Sequence, residues 1–170
     1  MRTVSVFGGA QAKPGSECYR MAEQLGALLA NAGYAVACGG YSGIMEAVAR
    51  GAASHGGHTI GYTLDPFGPA NTAIKEEVRC RTLHERLDRL IRGSVAAIAL
   101  KGSIGTLAEV FIYWNLLQMR SVSSPLILLG NEWQALLRHI QADFLVRPKD
   151  VGLLRLALTP EEALSLIRCS

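Results

Sequence analysis

The chain has 170 residues, of which 49% are hydrophobic and 18% are charged, and this length and balance predict one globular domain over residues 1–170. The formal net charge is only +3, and acidic residues lie between the scattered arginines, so the basic stripe typical of nucleic-acid binding is missing. No apolar run reaches the roughly 18 residues that a membrane span requires, and no signal peptide precedes the first predicted strand. We therefore expect a cytoplasmic protein that binds neither nucleic acid nor a membrane.

Neither the cysteines nor the histidines predict a metal site. The cysteines lie far apart, without a CxxC pair, and this spacing favours reduced thiols over a disulfide framework or a zinc site; they are Cys18, Cys38, Cys80 and Cys169. His55 and His58 flank two glycines in a segment that supplies no carboxylate or thiol ligand. The chain also lacks the GxGxxG and GxxxxGK[ST] motifs, which argues against an ordinary NAD site and a P-loop. We expect no metal and no cofactor.

Apolar runs and turn residues alternate along the chain. Strands are predicted at residues 3–7, 34–38, 58–62, 75–80, 95–100, 125–129 and 153–158. Helices are predicted between them, beginning after Ser16, at Ile44, after Thr82, at Thr106, after Asn131 and at Pro160. Because helices alternate with strands that are almost continuously apolar, we predict an α/β fold: a doubly wound parallel sheet with helices on both faces.

The helix predicted after Thr82 contains an arginine that is a candidate site residue. Thr82 and Glu85 have the spacing of a capping box, so the helix begins here and Arg86 lies just past its first turn. The residues alone do not distinguish Arg86 from a solvated helix arginine. Residues 63–74 precede this region and contain two prolines, a glycine and an asparagine. We interpret them as an irregular loop over the site.

Three glycine turns follow predicted strands, at residues 8–9, 39–43 and 102–105. In a doubly wound sheet, ligands bind beyond the carboxyl ends of the strands where the strand order reverses, so these turns can share one crevice. Glycines there either let the backbone approach a phosphate or serve only as turn residues. Glu109 has two interpretations as well: with Thr106 it has the spacing of a capping box, or it lies beside a bound ribose. Glu46 is interpreted as complementing the dipole of its helix.

The motifs together resemble the LOG ("lonely guy") family, whose members are often mislabelled lysine decarboxylases. The family pattern is GGxxGLM, then M-x-x-R-K, then PGGxGTxxE; this chain has GGYSGIM at 39–45, LHER at 83–86 and LKGSIGTLAE at 100–109. The resemblance implies a Rossmann-like fold, usually dimeric. It also implies a phosphoribohydrolase, which cleaves the N-glycosidic bond of a nucleoside 5′-monophosphate, often a cytokinin nucleotide, into free base and ribose 5-phosphate.

Carried over residue by residue, the resemblance implies that Arg86 and Glu109 are the catalytic pair. It assigns phosphate binding to a second set, namely Gly102, Ser103, Gly105 and Thr106, with Gly43 as the candidate from the second glycine loop. Pairing with Arg86 is expected to keep Glu109 ionised. The bound partner would be a small nucleotide. No lysine lies in a recognisable pyridoxal-phosphate setting, so lysine decarboxylation is not predicted.

Three positions depart from the family pattern. Lys101 replaces the proline, Ser103 replaces the second glycine, and Leu87 replaces the lysine after the motif arginine. The Cβ of Ser103 can crowd a loop conformation that glycine allows, and Leu87 removes a polar contact. These departures leave open a non-catalytic nucleotide or molybdenum-cofactor carrier of the same fold, and more weakly a DNA-processing protein.

The helix over residues 107–119 is apolar on more than one face. Core packing explains part of this excess, and a homodimer interface, which the resemblance also implies, would explain the rest.

Overall fold

The computed structural model describes residues 1–168, in which strands and helices alternate. The strands are β1 (Thr3–Phe7), β2 (Ala35–Cys38), β3 (Thr59–Leu64), β4 (Glu76–Cys80), β5 (Ala96–Ala99), β6 (Leu126–Leu129) and β7 (Leu154–Ala157). The helices are α1 (Glu17–Asn31), α2 (Ile44–Ser54), α3 (Leu83–Arg92), α4 (Ile104–Gln118), α5 (Glu132–Asp143), α6 (Pro148–Val151) and α7 (Pro160–Arg168). A single 3-10 turn (Asp65–Phe67) follows β3 within this part of the chain. The prediction for Cys169 lies outside the described residues.

The strands form one parallel sheet in the order β4-β3-β2-β1-β5-β6-β7. The chain therefore winds outward from β1 to β4, returns to the centre, and winds outward again from β5 to β7. Val4 of β1 lies opposite Val36 of β2 on one side and Ala96 of β5 on the other. The strand order reverses between β1 and β5, which is the place where such sheets bind ligands.

Alternate residues of the central strands point to opposite faces of the sheet. Val4 and Val6 lie in a buried layer with α1, α2 and α7, whereas Phe7 packs in the other layer, with α3, α4 and α5. The predicted α/β fold, doubly wound with helices on both faces, is confirmed. The central strands are buried because each face of the sheet is covered by helices.

One prediction about the helices needs correction, and one short helix was not predicted. Helix α4 begins at Ile104, with Ser103 as its N-cap, rather than at Thr106. Gly105 therefore lies inside the first turn of the helix instead of breaking the chain before it. The sequence also gave no sign of α6, a helix of four residues with Pro148 at its first position. None of the helices within residues 1–168 is long and apolar enough to cross a membrane.

The outer strand β4 carries charged side chains at the open edge of the sheet. Glu76 and Glu77 are exposed, and so is Arg79. Glu77 accepts a hydrogen bond from the hydroxyl of Thr63 (2.8 Å) and one from the backbone N–H of Ala70 (3.2 Å). This edge strand therefore helps to hold the segment that follows β3.

Candidate active site

A cavity of about 790 Å³ opens beyond the carboxyl ends of β1, β2 and β5. The loops after these strands are bonded to one another: the backbone N–H of Gly9 donates to the carbonyl of Lys101 (3.2 Å), and that of Ile44 donates to the carbonyl of Gly9 (3.0 Å). The three predicted glycine turns therefore do share one crevice. It lies at the point where the strand order reverses.

Two glycines allow these turns to pack closely. A Cβ on Gly102 would lie 2.1 Å from Oγ1 of Thr106 and 2.9 Å from the backbone nitrogen of Gly9. Gly43 has a φ of +69°, and a Cβ there would lie 2.4 Å from the carbonyl oxygen of Gly9. Neither glycine lines the cavity, whereas Ser103, Gly105 and Thr106 all do. Three of the residues predicted to bind phosphate are thus on the cavity wall, and two shape the turns behind it.

Arg86 reaches the cavity from α3 and lies beside Glu109 of α4. Its Nη1 is 3.5 Å from Oε1 of Glu109, and the two side chains are only 11% and 12% exposed. The Nε of Arg86 donates a 2.7 Å hydrogen bond to the backbone carbonyl of Tyr62, which lies within β3. The structure thus brings together the two residues predicted to be catalytic.

The interpretation of Arg86 as a solvated helix arginine is wrong. Arg89 and Arg92 fit that description, since each is exposed and pairs with an acidic residue four positions earlier. Arg86 precedes Leu90 by four residues and therefore shares the buried face of α3, where Leu90 is fully buried. This spacing is a signal in the sequence that separates Arg86 from its neighbours.

Glu109 does not cap its helix. Because α4 begins at Ile104, Thr106 is its third residue and cannot be the N-cap. The Glu109 side chain instead points at Arg86 and lines the cavity. At α3 the predicted cap is confirmed: Oγ1 of Thr82 accepts from the backbone N–H of Glu85 (3.1 Å), although the Glu85 carboxylate accepts from the N–H of Arg81 rather than that of Thr82.

Burial raises the pKa of Glu109 to about 7, and the nearby positive charge of Arg86 lowers it only in part. The expectation that Arg86 keeps Glu109 ionised therefore needs correction, because burial outweighs the attraction of the guanidinium. Burial also raises the pKa of the neighbouring Cys38 thiol to about 11, so it is not a thiolate nucleophile at neutral pH.

Residues 64–74 form one wall of the cavity, and the sequence predicted only that this segment is irregular. The hydroxyl of Tyr41 accepts a hydrogen bond from the backbone N–H of Leu64 (2.7 Å) and donates one to its carbonyl (3.1 Å). The side-chain amide of Asn71 donates to the carbonyls of Gly40 (2.9 Å) and Tyr41 (2.8 Å). The segment is therefore fastened to the second glycine turn. Phe67 lies on this wall, with its ring 5.8 Å from that of Tyr41.

The three departures from the family pattern have different structural consequences. Ser103 has φ −96° and ψ −165°, an extended conformation that any residue adopts, so the expected crowding by its Cβ does not occur. Leu87 is buried in the core between the sheet and α3, where an apolar side chain is favoured over a charged one. Lys101 is exposed, and only its carbonyl takes part in the contact with Gly9.

Within residues 1–168, no three side chains of histidine, cysteine, aspartate or glutamate lie close enough together to hold a metal ion. The two histidines considered earlier have separate partners: Nε2 of His58 lies 2.9 Å from the Glu76 carboxylate, and Nδ1 of His55 lies 3.0 Å from the carbonyl of Gly51.

The sheet topology and its flanking helices define a Rossmann-like α/β protein with a ligand-sized cavity at the switch point. The chain belongs to the SLOG cluster4 family, whose model matches residues 1–142. The LOG-like resemblance of the motifs is thereby confirmed.

Relatives named as phosphoribohydrolases match much of the chain. A probable cytokinin riboside 5′-monophosphate phosphoribohydrolase of Oryza sativa subsp. japonica is 35% identical over 135 residues, which is 76% of this chain and 54% of that protein. A cytokinin riboside 5′-monophosphate phosphoribohydrolase of Rhodococcoides fascians is 28% identical over 153 residues, 82% of this chain and 74% of that protein. This chain thus spans about half the length of the rice relative.

Solved structures of similar shape have other names. The molybdenum cofactor binding protein of Rippkaea orientalis superimposes with a TM-score of 0.80 at 25% identity, covering 99% of this chain and 96% of that one. The molybdenum cofactor carrier protein of Chlamydomonas reinhardtii gives a TM-score of 0.79 at 25% identity, with the same coverage. DNA processing protein A of Helicobacter pylori, at 14% identity and a TM-score of 0.65, covers 99% of this chain and 80% of that one, and shares the fold alone.

Proposed function

We propose that the protein hydrolyses the N-glycosidic bond of a nucleoside 5′-monophosphate and releases the free base and ribose 5-phosphate. The observation that carries this proposal is the buried pair of Arg86 and Glu109 on the wall of a cavity that also exposes the first turn of α4. The relatives named as phosphoribohydrolases support it.

The phosphate binds at the start of α4 in this mechanism. The first turn of this helix contains no acidic residue, and its unpaired backbone N–H groups point to the end where Ser103, Gly105 and Thr106 line the cavity. A helix N-terminus of this kind favours an anion. The phosphate is remote from the bond that breaks, and its binding energy holds the ribose in place for the reaction.

The carboxylate of Glu109 acts on the sugar. As the bond from C1′ to the base nitrogen breaks, its electron pair leaves with the base and positive charge develops on the ribosyl ring. The ionised carboxylate stabilises that charge and orients the water whose oxygen bonds to C1′. One water proton goes to the departing base and the hydroxyl group stays on ribose 5-phosphate. Arg86, held by the carbonyl of Tyr62, positions the carboxylate.

A screen of 5′-monophosphates against the matching nucleosides tests the proposal. We expect free base and ribose 5-phosphate from one or more monophosphates and no release from the nucleosides, because the nucleosides lack the group that α4 binds. Equal release from both would remove the phosphate site from the mechanism. Release from neither would overturn the hydrolase.

The second candidate is a carrier of a nucleotide or of molybdenum cofactor that catalyses nothing. It is favoured by the two cofactor-binding structures, each of which covers 99% of this chain. Native mass spectrometry of the purified protein distinguishes the two functions: a co-purified ligand together with no turnover of any monophosphate would establish the carrier and exclude the hydrolase.

A second copy of the chain is proposed to cover α4. Phe111 and Ile112 are each 40% exposed on this helix, and Met119 at its C-terminal end is 61% exposed. Exposed apolar side chains on one helix mark a contact surface. Light scattering should give a dimer for the wild type and a monomer for Ile112→Glu; a monomeric wild type would contradict the proposal.

We also propose that the protein acts in the cytoplasm on small anions rather than on nucleic acid. The thiols of Cys18, Cys38 and Cys80 are unpaired, as a reducing compartment allows. Cell fractionation tests the location. Titration with single-stranded DNA at low and high salt tests the partner, because binding to phosphates weakens steeply as the salt concentration rises.

A further inference from the structure

The aromatic ring of Tyr41 lies against the guanidinium of Arg86. Tyr41 belongs to the second glycine turn and lines the cavity together with Arg86 and Glu109. Cζ of Arg86 lies over the Tyr41 ring, 6.0 Å from its centroid, which is within reach of a cation–π contact. The face of an aromatic ring is negative and attracts the guanidinium. This contact therefore adds to the ion pair with Glu109 and to the hydrogen bond with the carbonyl of Tyr62.

The ion pair alone does not fix the guanidinium. Nη1 of Arg86 and Oε1 of Glu109 are 3.5 Å apart, whereas a charge-assisted hydrogen bond spans roughly 2.7–2.9 Å. The hydrogen bond to Tyr62 is made by Nε, at the inner end of the guanidinium. The outer end lies against the glycine turn instead, since a Cβ on Gly39 would collide with Nη2. The turn that carries Tyr41 is thus the part of the protein that confines the end of Arg86 nearest the carboxylate.

The Tyr41 ring is itself held in place by the segment after β3. Its hydroxyl accepts a hydrogen bond from the backbone N–H of Leu64 (2.7 Å) and donates one to the carbonyl of the same residue (3.1 Å). The ring of Phe67 meets it edge to face, with centroids 5.8 Å apart. The carbonyl of Tyr41 accepts a hydrogen bond from the side-chain amide of Asn71 (2.8 Å). Because these contacts fix the ring, packing against Arg86 costs little further side-chain entropy.

We propose that Tyr41 is a positioning residue whose ring holds the Arg86 guanidinium toward Glu109. The inference rests on the proposed function, in which that carboxylate acts on the sugar. Tyr41 acts through Arg86 and touches no reacting atom. The ring carries this role, whereas the hydroxyl serves to anchor the segment after β3.

The ionisation of Glu109 reports the position of Arg86 without any substrate. The guanidinium lowers the pKa of Glu109, so displacing Arg86 should raise it. Two other titratable groups lie nearby and are left intact: the Cys38 thiol, whose pKa burial raises to about 11, and the Glu46 carboxylate, which also lines the cavity. NMR of the full chain, labelled at the glutamate carboxyl carbons, measures the pKa, and base release is measured in parallel.

Three variants separate the ring from the hydroxyl. Tyr41→Leu and Tyr41→Met both remove the ring, so the result does not depend on one substitution, whereas Tyr41→Phe keeps the ring and removes the hydroxyl. Tyr34→Leu is the matched control. Cζ of Arg2 lies 5.6 Å from the centroid of the Tyr34 ring, and this second pair precedes the amino ends of β1 and β2 and does not line the cavity.

We expect both ring-free variants to raise the pKa of Glu109, by no more than Arg86→Met does. Tyr41→Phe and Tyr34→Leu should leave it at the wild-type value. In the ring-free variants kcat for base release should fall about 3- to 30-fold, the loss expected for a cation–π contact, and Tyr41→Phe should restore most of it. Combined with Arg86→Met, Tyr41→Leu should not move the pKa further, because the ring then has no guanidinium to hold.

A wild-type pKa of Glu109 in both ring-free variants would overturn the positioning role. So would a shift that persists in the Arg86→Met background, because it would come from altered burial of Glu109. A shift that Tyr41→Phe shares would assign the effect to the hydroxyl and overturn the role of the ring. The expected shifts without base release from any monophosphate would support the placement of Arg86 by Tyr41 and overturn the hydrolase instead.

Discussion

Nη1 of Arg86 and Oε1 of Glu109 lie 3.5 Å apart, although the two residues come from different helices and both side chains are almost fully buried. The pair is not closed off, since both residues line the cavity. Burial opposes the charge of Glu109 more strongly than Arg86 supports it. A carboxyl group with a pKa of about 7 in a cavity is typical of a group with a chemical task.

Replacing the carboxylate should abolish the chemistry without preventing binding. For Glu109→Gln we expect kcat for base release to fall by about 100-fold or more, as when a charge-stabilising group is removed from an active site. KM should change only a few-fold, because the phosphate contacts proposed at α4 do not involve this carboxylate. Steady-state kinetics check this, with Glu17→Gln as the control, because Glu17 is an exposed glutamate in the first turn of α1 that does not line the cavity. Free-base release equal to that of the wild type would remove Glu109 from the mechanism.

The pH profile should follow the ionisation of Glu109. Because the proposed mechanism needs the carboxylate and the pKa is about 7, kcat/KM should rise about tenfold per pH unit below that value and level off above it. Initial rates between pH 5.5 and 9 measure the profile.

The phosphate of the substrate also titrates, near pH 6, and contributes to the same profile. The variant Arg86→Met distinguishes its ionisation from that of Glu109. Loss of the guanidinium removes the influence that lowers the pKa of Glu109. The limb due to Glu109 should therefore move to higher pH, whereas that of the substrate should not. A profile that stays in place in Arg86→Met would contradict the assignment.

The raised pKa of Glu109 also predicts a dependence of stability on pH. Between about 4.5 and 7, the folded protein holds a proton at Glu109 that the unfolded chain has released. The free energy of unfolding should therefore fall as the pH rises through this window, by up to about 3 kcal/mol. Glu109→Gln lacks this loss, so it should have a higher Tm than the wild type at pH 8 and a similar one near pH 5. A Tm difference that is the same at both pH values would contradict the linkage.

Gly39 provides the space for the Arg86 guanidinium. A Cβ on Gly39 would lie 1.9 Å from Nη2 of Arg86 and 2.7 Å from Sδ of Met45. Both are ends of flexible side chains, so Gly39→Ala should fold, with Arg86 displaced from Glu109. We expect base release to fall at least about tenfold, since small displacements at a reacting centre are costly. Gly152→Ala is the control, because its Cβ would make only ordinary contacts, the nearest at 3.5 Å. An unchanged rate in Gly39→Ala would show that the position of Arg86 is not critical.

The strand pattern could be predicted from sequence because the central strands are buried on both faces and are apolar at nearly every residue. Ala96–Ala99 and Leu126–Leu129 are examples in which every residue is buried. The glycine pattern predicts that α4 begins at Thr106, because glycine usually breaks a helix, whereas an N-terminal turn tolerates Gly105 once Ser103 supplies the extended cap. The motif predicted Arg86 and Glu109, but their approach depends on the order β1-β5 at the centre of the sheet, which local patterns do not encode.

The wall formed by residues 64–74 could not be predicted for a related reason. Its position depends on contacts across the chain, from Asn71 to Gly40 and from Leu64 to Tyr41. Composition identified the segment as irregular, but irregular segments carry no periodicity from which an orientation can be inferred. The place of Phe67 on the cavity wall could therefore not be predicted from the sequence.

The charges on β4 have a consequence for assembly. An uncapped sheet edge offers its free backbone groups to any other extended chain, and side chains such as Glu76, Glu77 and Arg79 discourage such pairing. Copies of this chain are thereby steered away from joining edge to edge into open-ended stacks. The association proposed through α4 would instead join two like faces, and such a contact closes on itself and stops at a defined size.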